Sequence, residues 1–382
     1  MQPRFTIGIE EEFQMVDLQT GQLSPSIQTI LEKGHAIFGE QIKPEMLRST
    51  VELISDILPD IPTARQEMQH LRAMLACLVK EQGLALVSAG THPTALWQNE
   101  QRSPYERYAQ LEEEFQDVAR SILIFGLHVH IGIESQEIAV ELMNQLRTWL
   151  PHLLALSSNS PFWAGRFTGL KSYRTAIWKP FPRSGIPPVF PNADDFNAYI
   201  QALIRTSCID NGKRIWWDIR PHPFFSTIEF RVCDMPATLD DTIAIAALCQ
   251  ALVAKLVWLN KHGFKLPIVS SHLLEENKWH AMHFGLDAEV IDFVQDRRLS
   301  MRDSIHELLD FVHDVADDLG SQREIHYLRS LLADTRGTGA DRQIAAYQQT
   351  GNLAAVIQLL IQQTMEGIPT EVSAYTAYDT YH

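Results

Sequence analysis

Glu10 and Glu12 stand at i, i+2 in the stretch Phe5 to Val16. On an extended strand that spacing aims both carboxylates to one side, close enough to share a cation. Taken alone, such a pair reads better as a solvated strand face. His128 and His130 repeat the spacing among aliphatic neighbours. Two imidazoles on one strand face can ligate a metal or meet an anionic substrate, although any single histidine is more often structural. Glu229 and Arg231 set a carboxylate beside a guanidinium. That is either a cross-strand salt bridge or a metal ligand next to a clamp for phosphate or carboxylate. Glu45 and Glu52 lie in KPEMLRSTVELIS, where periodicity does not fix their geometry. Arg166, Arg174 and Arg220, among aromatic and turn residues, read as anion binders.

Carboxylates outnumber imidazoles in this set, which favours Mg²⁺ or Mn²⁺ over zinc. Arginines around such ions imply phosphate, and the combination suits phosphoryl transfer, where charge on the moving group must be neutralised in place. The chain has no GxxxxGK[ST], GxGxxG or GxSxG segment, so P-loop, dinucleotide and serine-hydrolase chemistries lack their motifs.

Such residues need strands with one apolar and one polar face. Phe5, Ile7, Ile9, Phe13 and Met15 alternate with Thr6, Gly8, Glu10, Glu12 and Gln14. Glu11 falls on the apolar side, at a strand edge or local bend. The same alternation runs through Leu127 to Ile133, Thr227 to Asp234 and Ile215 to Arg220. The expected class is α+β, a largely antiparallel sheet with a concave polar face and helices on the other. Pro62 and Gly83 bound one helix. Ser103-Pro104-Tyr105-Glu106 reads as a capping box leading a helix towards Phe125. Further helices are expected around 136–156, 240–261, 300–318, 322–333 and 352–365.

The 382 residues carry 32 Lys+Arg against 47 Asp+Glu, a formal charge of −15. An acidic chain has no general attraction for nucleic-acid backbones or anionic membranes, so neither is an expected partner. Hydrophobic residues at 45% and charged residues at 21% exclude wholesale disorder. Residues 1–365 are expected to form a single catalytic domain, with 366–382 as a tail bearing Tyr375, Tyr378 and Tyr381. The four cysteines show no CxxC pair and read as reduced thiols, and no secretory signal precedes Glu10 to Glu12, so a cytoplasmic location is expected. The apolar stretch Thr242 to Leu259 is expected to be a buried helix rather than a membrane span.

With GIEEEF, VELISD, AGTHP, ERY, GLHVHIGI, LPHLLALSSNSPFW, GRFTGLKSYR, WWDIRPHP, TIEFRVCDMP, HFGLDAEVID and GTGADRQ in this order, the chain resembles the YbdK-type carboxylate-amine ligases of the glutamate-cysteine ligase superfamily. Their catalytic fold is related to glutamine synthetase. The resemblance implies ATP and a divalent cation, phosphorylation of a substrate carboxylate to an acyl phosphate, and displacement of phosphate by an amine. L-glutamate and L-cysteine are the implied substrates, and a homo-oligomer the implied assembly. It assigns Glu10, Glu12, Glu45, Glu52, His128 and Glu229 to metal. His130 falls near phosphate or substrate, and Arg174, Arg220 and Arg231 meet phosphate or the substrate carboxylate. His283 stands where many relatives carry arginine, which would weaken an anionic contact. Two alternatives remain. One is a zinc amidohydrolase built on His128 and His130 with His222, His272 or His280. The other is a binding module that has lost turnover.

Overall fold

The computed structural model describes residues 5–369, so the three tail tyrosines lie outside the described residues. The first strand, β1 (Ile7–Asp17), is the axis of a seven-stranded sheet. The others are β2 (Ile42–Pro44), β3 (Thr50–Ile54), β4 (Leu84–Val87), β5 (Leu127–Gly132), β6 (Ile219–Pro221) and β7 (Thr227–Phe230). Their order is β6-β7-β5-β1-β3-β2, with β4 alongside the C-terminal part of β1, and every pairing is antiparallel. Register does the functional work. Glu12 lies opposite Glu52, Glu10 opposite His128, His130 opposite Glu229, and Glu229 opposite Arg220. Directly opposed residues share a face, so the chemistry-bearing side chains from five strands gather on one side. The class is α+β, as expected.

Helices cover the other face. Helix α1 (Ile61–Lys80) starts at Asp60, whose carboxylate accepts from the Thr63 amide at 2.8 Å, with Pro62 in the first turn. Gly83 then turns the chain at φ +73°. Helices α2 (Glu106–Phe115) and α3 (Tyr173–Trp178) precede the long helix α4 (Leu239–Lys261). Long and apolar enough to cross a membrane, α4 is nonetheless buried inside the protein at every residue from Asp241 to Ala254, packed on α1, β1 and β5.

Glu11 has a partner after all. Fully buried on the helix side of β1, its carboxylate accepts from both Arg72 Nε (2.8 Å) and Arg72 Nη2. Arg72 Nη2 also donates to Thr242 Oγ1 at 3.0 Å, tying β1, α1 and α4 together. The strand is regular there, without an edge or bend.

Three local expectations fail. Helix α2 is capped at Tyr105, without a side-chain cap, and ends at Phe115 rather than near Phe125. Ser103 instead donates its hydroxyl to the Glu45 carbonyl, a tertiary contact that displaces the capping box. The stretch 215–220 divides, because Trp216–Trp217 pairs in parallel with Ser184–Gly185 while β6 joins the main sheet. The strand from Thr227 stops at Phe230, where the Arg231 amide turns to the Asp218 carbonyl at 2.7 Å.

Buried histidines make the fold acid-sensitive. The His92 ring is sealed, Nε2 against the Gly21 carbonyl (2.9 Å) and Nδ1 accepting from the Thr94 and Ala95 amides. Burial pushes its pKa down to about 4, and that of His152 likewise. Between pH 6.5 and 4 the unfolded chain therefore binds the proton and the native one does not, so stability is full above 6.5 and falls as pH drops through this window. For His92 the loss is about 3 kcal/mol. Urea unfolding at pH 7 and pH 4 should show it, with a smaller difference in His92→Gln. An equal difference in both proteins would remove His92 as the cause.

Candidate active site

The polar face of the sheet floors a cavity of about 430 Å³. Glu10 and Glu12 reach it from β1, Glu52 from β3, His128 from β5, Glu229 from β7 and Arg220 from β6. Glu45 enters from the loop after β2, Arg231 from just beyond β7, and Arg174 from α3. His130 sits behind this wall, its Nε2 3.2 Å from Glu10 and its Nδ1 3.2 Å from Thr227 Oγ1. Arg166 is exposed on a separate two-stranded ribbon and takes no part.

Two groups of ligand atoms assemble on the floor. Glu10, His128 and Glu229 bring one atom each within 4.8 Å of one another, and so do Glu12, Glu52 and His128. His128 Nδ1 donates to Glu10 at 2.8 Å, and burial drives the ring pKa down to about 4. The imidazole is therefore neutral at pH 7 with its Nε2 lone pair free.

The carboxylates divide electrostatically. Burial would raise Glu10, but hydrogen bonds to His128 and His130 hold it well below the usual carboxylate range. Burial opposes charge on His130 too, yet the Glu10 and Glu229 carboxylates outweigh it and raise its pKa. Glu12 is pushed up to about 7 by burial and then by Glu45. Burial lifts Glu45, and it lifts Glu52 well above its ordinary range, with Glu10, Glu45 and Glu12 adding repulsion. Glu12, Glu45 and Glu52 thus form a carboxylate cluster short of positive charge. Hard oxygen donors with one imidazole fit Mg²⁺ or Mn²⁺.

Glu229 is different. Arg220 grips it through Nε (2.7 Å) and Nη2 (3.2 Å), and Arg231 Nη1 adds a third bond. Burial opposes its charge, but the two guanidinium groups hold it well below the usual range. Glu229 is thus both one half of a cross-strand salt bridge and a member of the Glu10–His128–Glu229 group. Arg220, expected from the sequence to bind an anion, lines the cavity but spends most of its donors on Glu229 and on backbone carbonyls. Its Nη1 donates to the Lys213 and Ile215 carbonyls, so four of its five N–H groups serve the fold and one Nη2 hydrogen remains for an anion. Arg231 Nε and Arg174 Nε are buried without a partner, so these two guanidinium groups retain unused capacity on the cavity wall.

Some contributors carry no signal in spacing. Tyr108 on α2 donates to the Pro44 carbonyl (3.1 Å) and approaches Glu45 at 3.4 Å, while Arg107 stacks on the Tyr108 ring at 4.3 Å. They fix the loop carrying Glu45. Trp178, Phe181 and Trp216 form an aromatic cluster beside the acidic floor, with Trp178 and Phe181 stacked at 4.9 Å. Gly126 donates its amide to Glu12 Oε2, and a Cβ there would lie 2.4 Å from Arg174 Nη2. Gly126→Ala should thus displace Arg174, lowering kcat by about 10-fold or more while circular dichroism stays native. Wild-type kcat would contradict this.

The imidazole-rich zinc site is not assembled. His222 Nδ1 accepts from the Phe224 and Phe225 amides, and His280 Nδ1 donates to the Glu289 carbonyl. His272 and His280 do not line the cavity. His283 stacks on Phe284 at 4.0 Å and lies off the cavity wall as well.

Residues 6–359 match the family described as "Glutamate-cysteine ligase family 2". A protein of Roseiflexus castenholzii named "Putative glutamate--cysteine ligase 2" is 48% identical over 365 residues, covering 96% of each chain. The chain belongs to glutamate-cysteine ligase family 2. A Chloroflexus aggregans protein of the same name is 46% identical over 98% of this chain and 97% of its own. Among solved structures, a glutamate–cysteine ligase of Francisella tularensis in complex with AMP superposes with TM-score 0.69 at 13% identity. It covers 95% of this chain and 89% of that one. A bifunctional glutathione synthetase of Pasteurella multocida gives 0.66 at 13%, over 95% of this chain and 53% of that one. These two likenesses establish the fold. Membership in the family makes the protein an ATP-dependent carboxylate-amine ligase. Neither the hydrolase nor the binding-module alternative finds support in these comparisons.

Proposed function

We propose that the protein phosphorylates the side-chain carboxylate of an amino dicarboxylate, L-glutamate by the names of its relatives, and joins it to an amine such as that of L-cysteine. The observation that carries this is the pair of three-ligand groups sharing His128, with Arg174 and Arg231 on the same cavity wall. Glu10, Glu12, Glu45, Glu52, Glu229 and His128 would hold divalent cations, Mg²⁺ or Mn²⁺. A cation bound there supplies positive charge to the phosphate oxygens of ATP during transfer.

The chain's own groups do the rest. His130 and His128 fix the Glu10 carboxylate, and Arg220 fixes Glu229. Arg174 and Arg231 offer donors to the transferring phosphoryl group and the substrate carboxylate. The aromatic cluster gives the adenine ring a stacking surface. A carboxylate oxygen attacks the γ-phosphorus and ADP leaves. The amine, having lost its ammonium proton, then attacks the acyl carbon and inorganic phosphate leaves. No protein nucleophile is needed, in keeping with the buried Cys233 thiol, whose pKa burial pushes up to about 12. Residues 1–365 act as one catalytic unit in this proposal, and the unpaired cysteines suit a reducing cytoplasm.

An ADP-release screen of amino-acid pairs with ATP and Mg²⁺ tests the function. Release should require the carboxylate, rise with the amine, and stop on chelation. Hydrolysis of an amide without ATP would overturn it.

A further inference from the structure

A second cavity of about 320 Å³ shares Arg174, Trp178 and Phe181 with the first. Its wall includes helix α5 (Ser271–Phe284) and Asp218, between the Trp216–Trp217 strand and β6. Lys278 Nζ on α5 lies 2.6 Å from Asp218 Oδ2, and the two side chains are 8% and 6% exposed. Burying an ion pair is costly, and a pair serving the fold alone gains most when sealed by other polar groups. This one opens onto a cavity instead. Lys179 and Glu275 stand 4.0 Å apart at the more exposed part of the same wall.

The charges count three cations, Arg174, Lys179 and Lys278, against two anions, Asp218 and Glu275. The complement is a ligand of one net negative charge that includes an ammonium group. A nucleotide triphosphate would meet repulsion from Asp218 and Glu275. An amino dicarboxylate, with two carboxylates and one ammonium, matches.

We propose that this second cavity binds the amino dicarboxylate, Asp218 taking its α-ammonium and Lys278 its α-carboxylate, so that the side-chain carboxylate extends past Arg174 to the acidic floor. The assignment rests on the ligase function proposed above. It explains why the distal carboxylate reacts, because the α-carboxylate is held away at Lys278. The acceptor amine fits this cavity poorly, since it must be free to attack, whereas Asp218 would hold it as ammonium.

Three substrates separate the contacts, with ADP release as readout: glutamate, glutarate (no ammonium) and 4-aminobutyrate (no α-carboxylate). In the wild type, kcat/KM for glutamate should exceed each of the others by about 100-fold or more, as a lost charged contact leaves its partner unpaired. Asp218→Asn should collapse the preference over glutarate, and Lys278→Met that over 4-aminobutyrate, with the KM for ATP unchanged. The double variant, which leaves no lone buried charge, should lose both preferences. Variants that keep the charges, Asp218→Glu and Lys278→Arg, should raise the glutamate KM about 10-fold with little change in kcat. Unchanged preference ratios, an equal loss on all three substrates, or an unchanged glutamate KM in the charge-keeping pair would overturn the assignment while leaving the ligase function standing. Absence of ADP release by the wild type with all three, tested with Mg²⁺ and L-cysteine present, would overturn this assignment together with the proposed amino-dicarboxylate substrate.

Discussion

Glu52→Gln is expected to stop turnover while making the metal-free protein harder to unfold. Glu52 lies opposite Glu12 in the β1–β3 register, 8% exposed, and Glu10 and Glu45 crowd it further. Arg107 offsets this repulsion in part, but its closer carboxylate is Glu45 at 3.8 Å. Gln keeps the shape and removes one charge from the repulsive cluster, which should add about 1 kcal/mol to the unfolding free energy without cation. It also removes a ligand from the Glu12–Glu52–His128 group, so kcat should fall by about 1,000-fold or more. Mg²⁺ at about 100 times its Kd should stabilise the wild type by about 3 kcal/mol and the variant by much less. Denaturant titration with and without Mg²⁺ separates these effects. A variant that turns over normally, or is destabilised without cation, would mean Glu52 is a structural residue.

Arg72→Met should be the most damaging single change away from the cavity. The Glu11–Arg72 pair is buried, 0% and 1% exposed, and Arg72 also lies over the Phe13 ring at 5.2 Å. Removing the guanidinium strands a carboxylate in the apolar layer, which costs about 3–5 kcal/mol. The double variant Glu11→Gln, Arg72→Met leaves no orphan charge and should recover most of that loss. Because Glu11 sits between Glu10 and Glu12 on β1, Arg72→Met should also loosen both ligands and lower activity in the fraction that remains folded. Urea unfolding of the single and double variants measures the coupling. Strictly additive losses would show that the two side chains do not act as a pair.

The difference between these two glutamates marks how far sequence pattern reaches. Period-two alternation placed Glu10, Glu12, His128 and Glu229 on one face, because strand geometry leaves no other choice. It also put Glu11 on the opposite face but could not supply Arg72, which lies 61 residues away on a helix. Long-range pairing explains the other gaps. Arg220 meets Glu229 only through the register of the β6–β7 hairpin, and the Ser103 hydroxyl serves Glu45 instead of its own helix. Glu45 is held by Tyr108 on α2, and Asp218 meets Lys278 across 60 residues. Arg166 looked like Arg174 by its neighbours, yet a two-residue ribbon turns it to solvent. Part of the formal −15 lies on the floor rather than on the solvated surface, where Glu12, Glu45 and Glu52 crowd one another and, in the proposed function, would hold cations.

The most direct test of carboxylate phosphorylation on this floor is isotope transfer. With substrate labelled by ¹⁸O in the side-chain carboxylate, ATP, Mg²⁺ and an accepting amine, one ¹⁸O per turnover should appear in inorganic phosphate, together with unlabelled ADP. Label in AMP, or phosphate free of ¹⁸O during amide formation, would contradict an acyl-phosphate route.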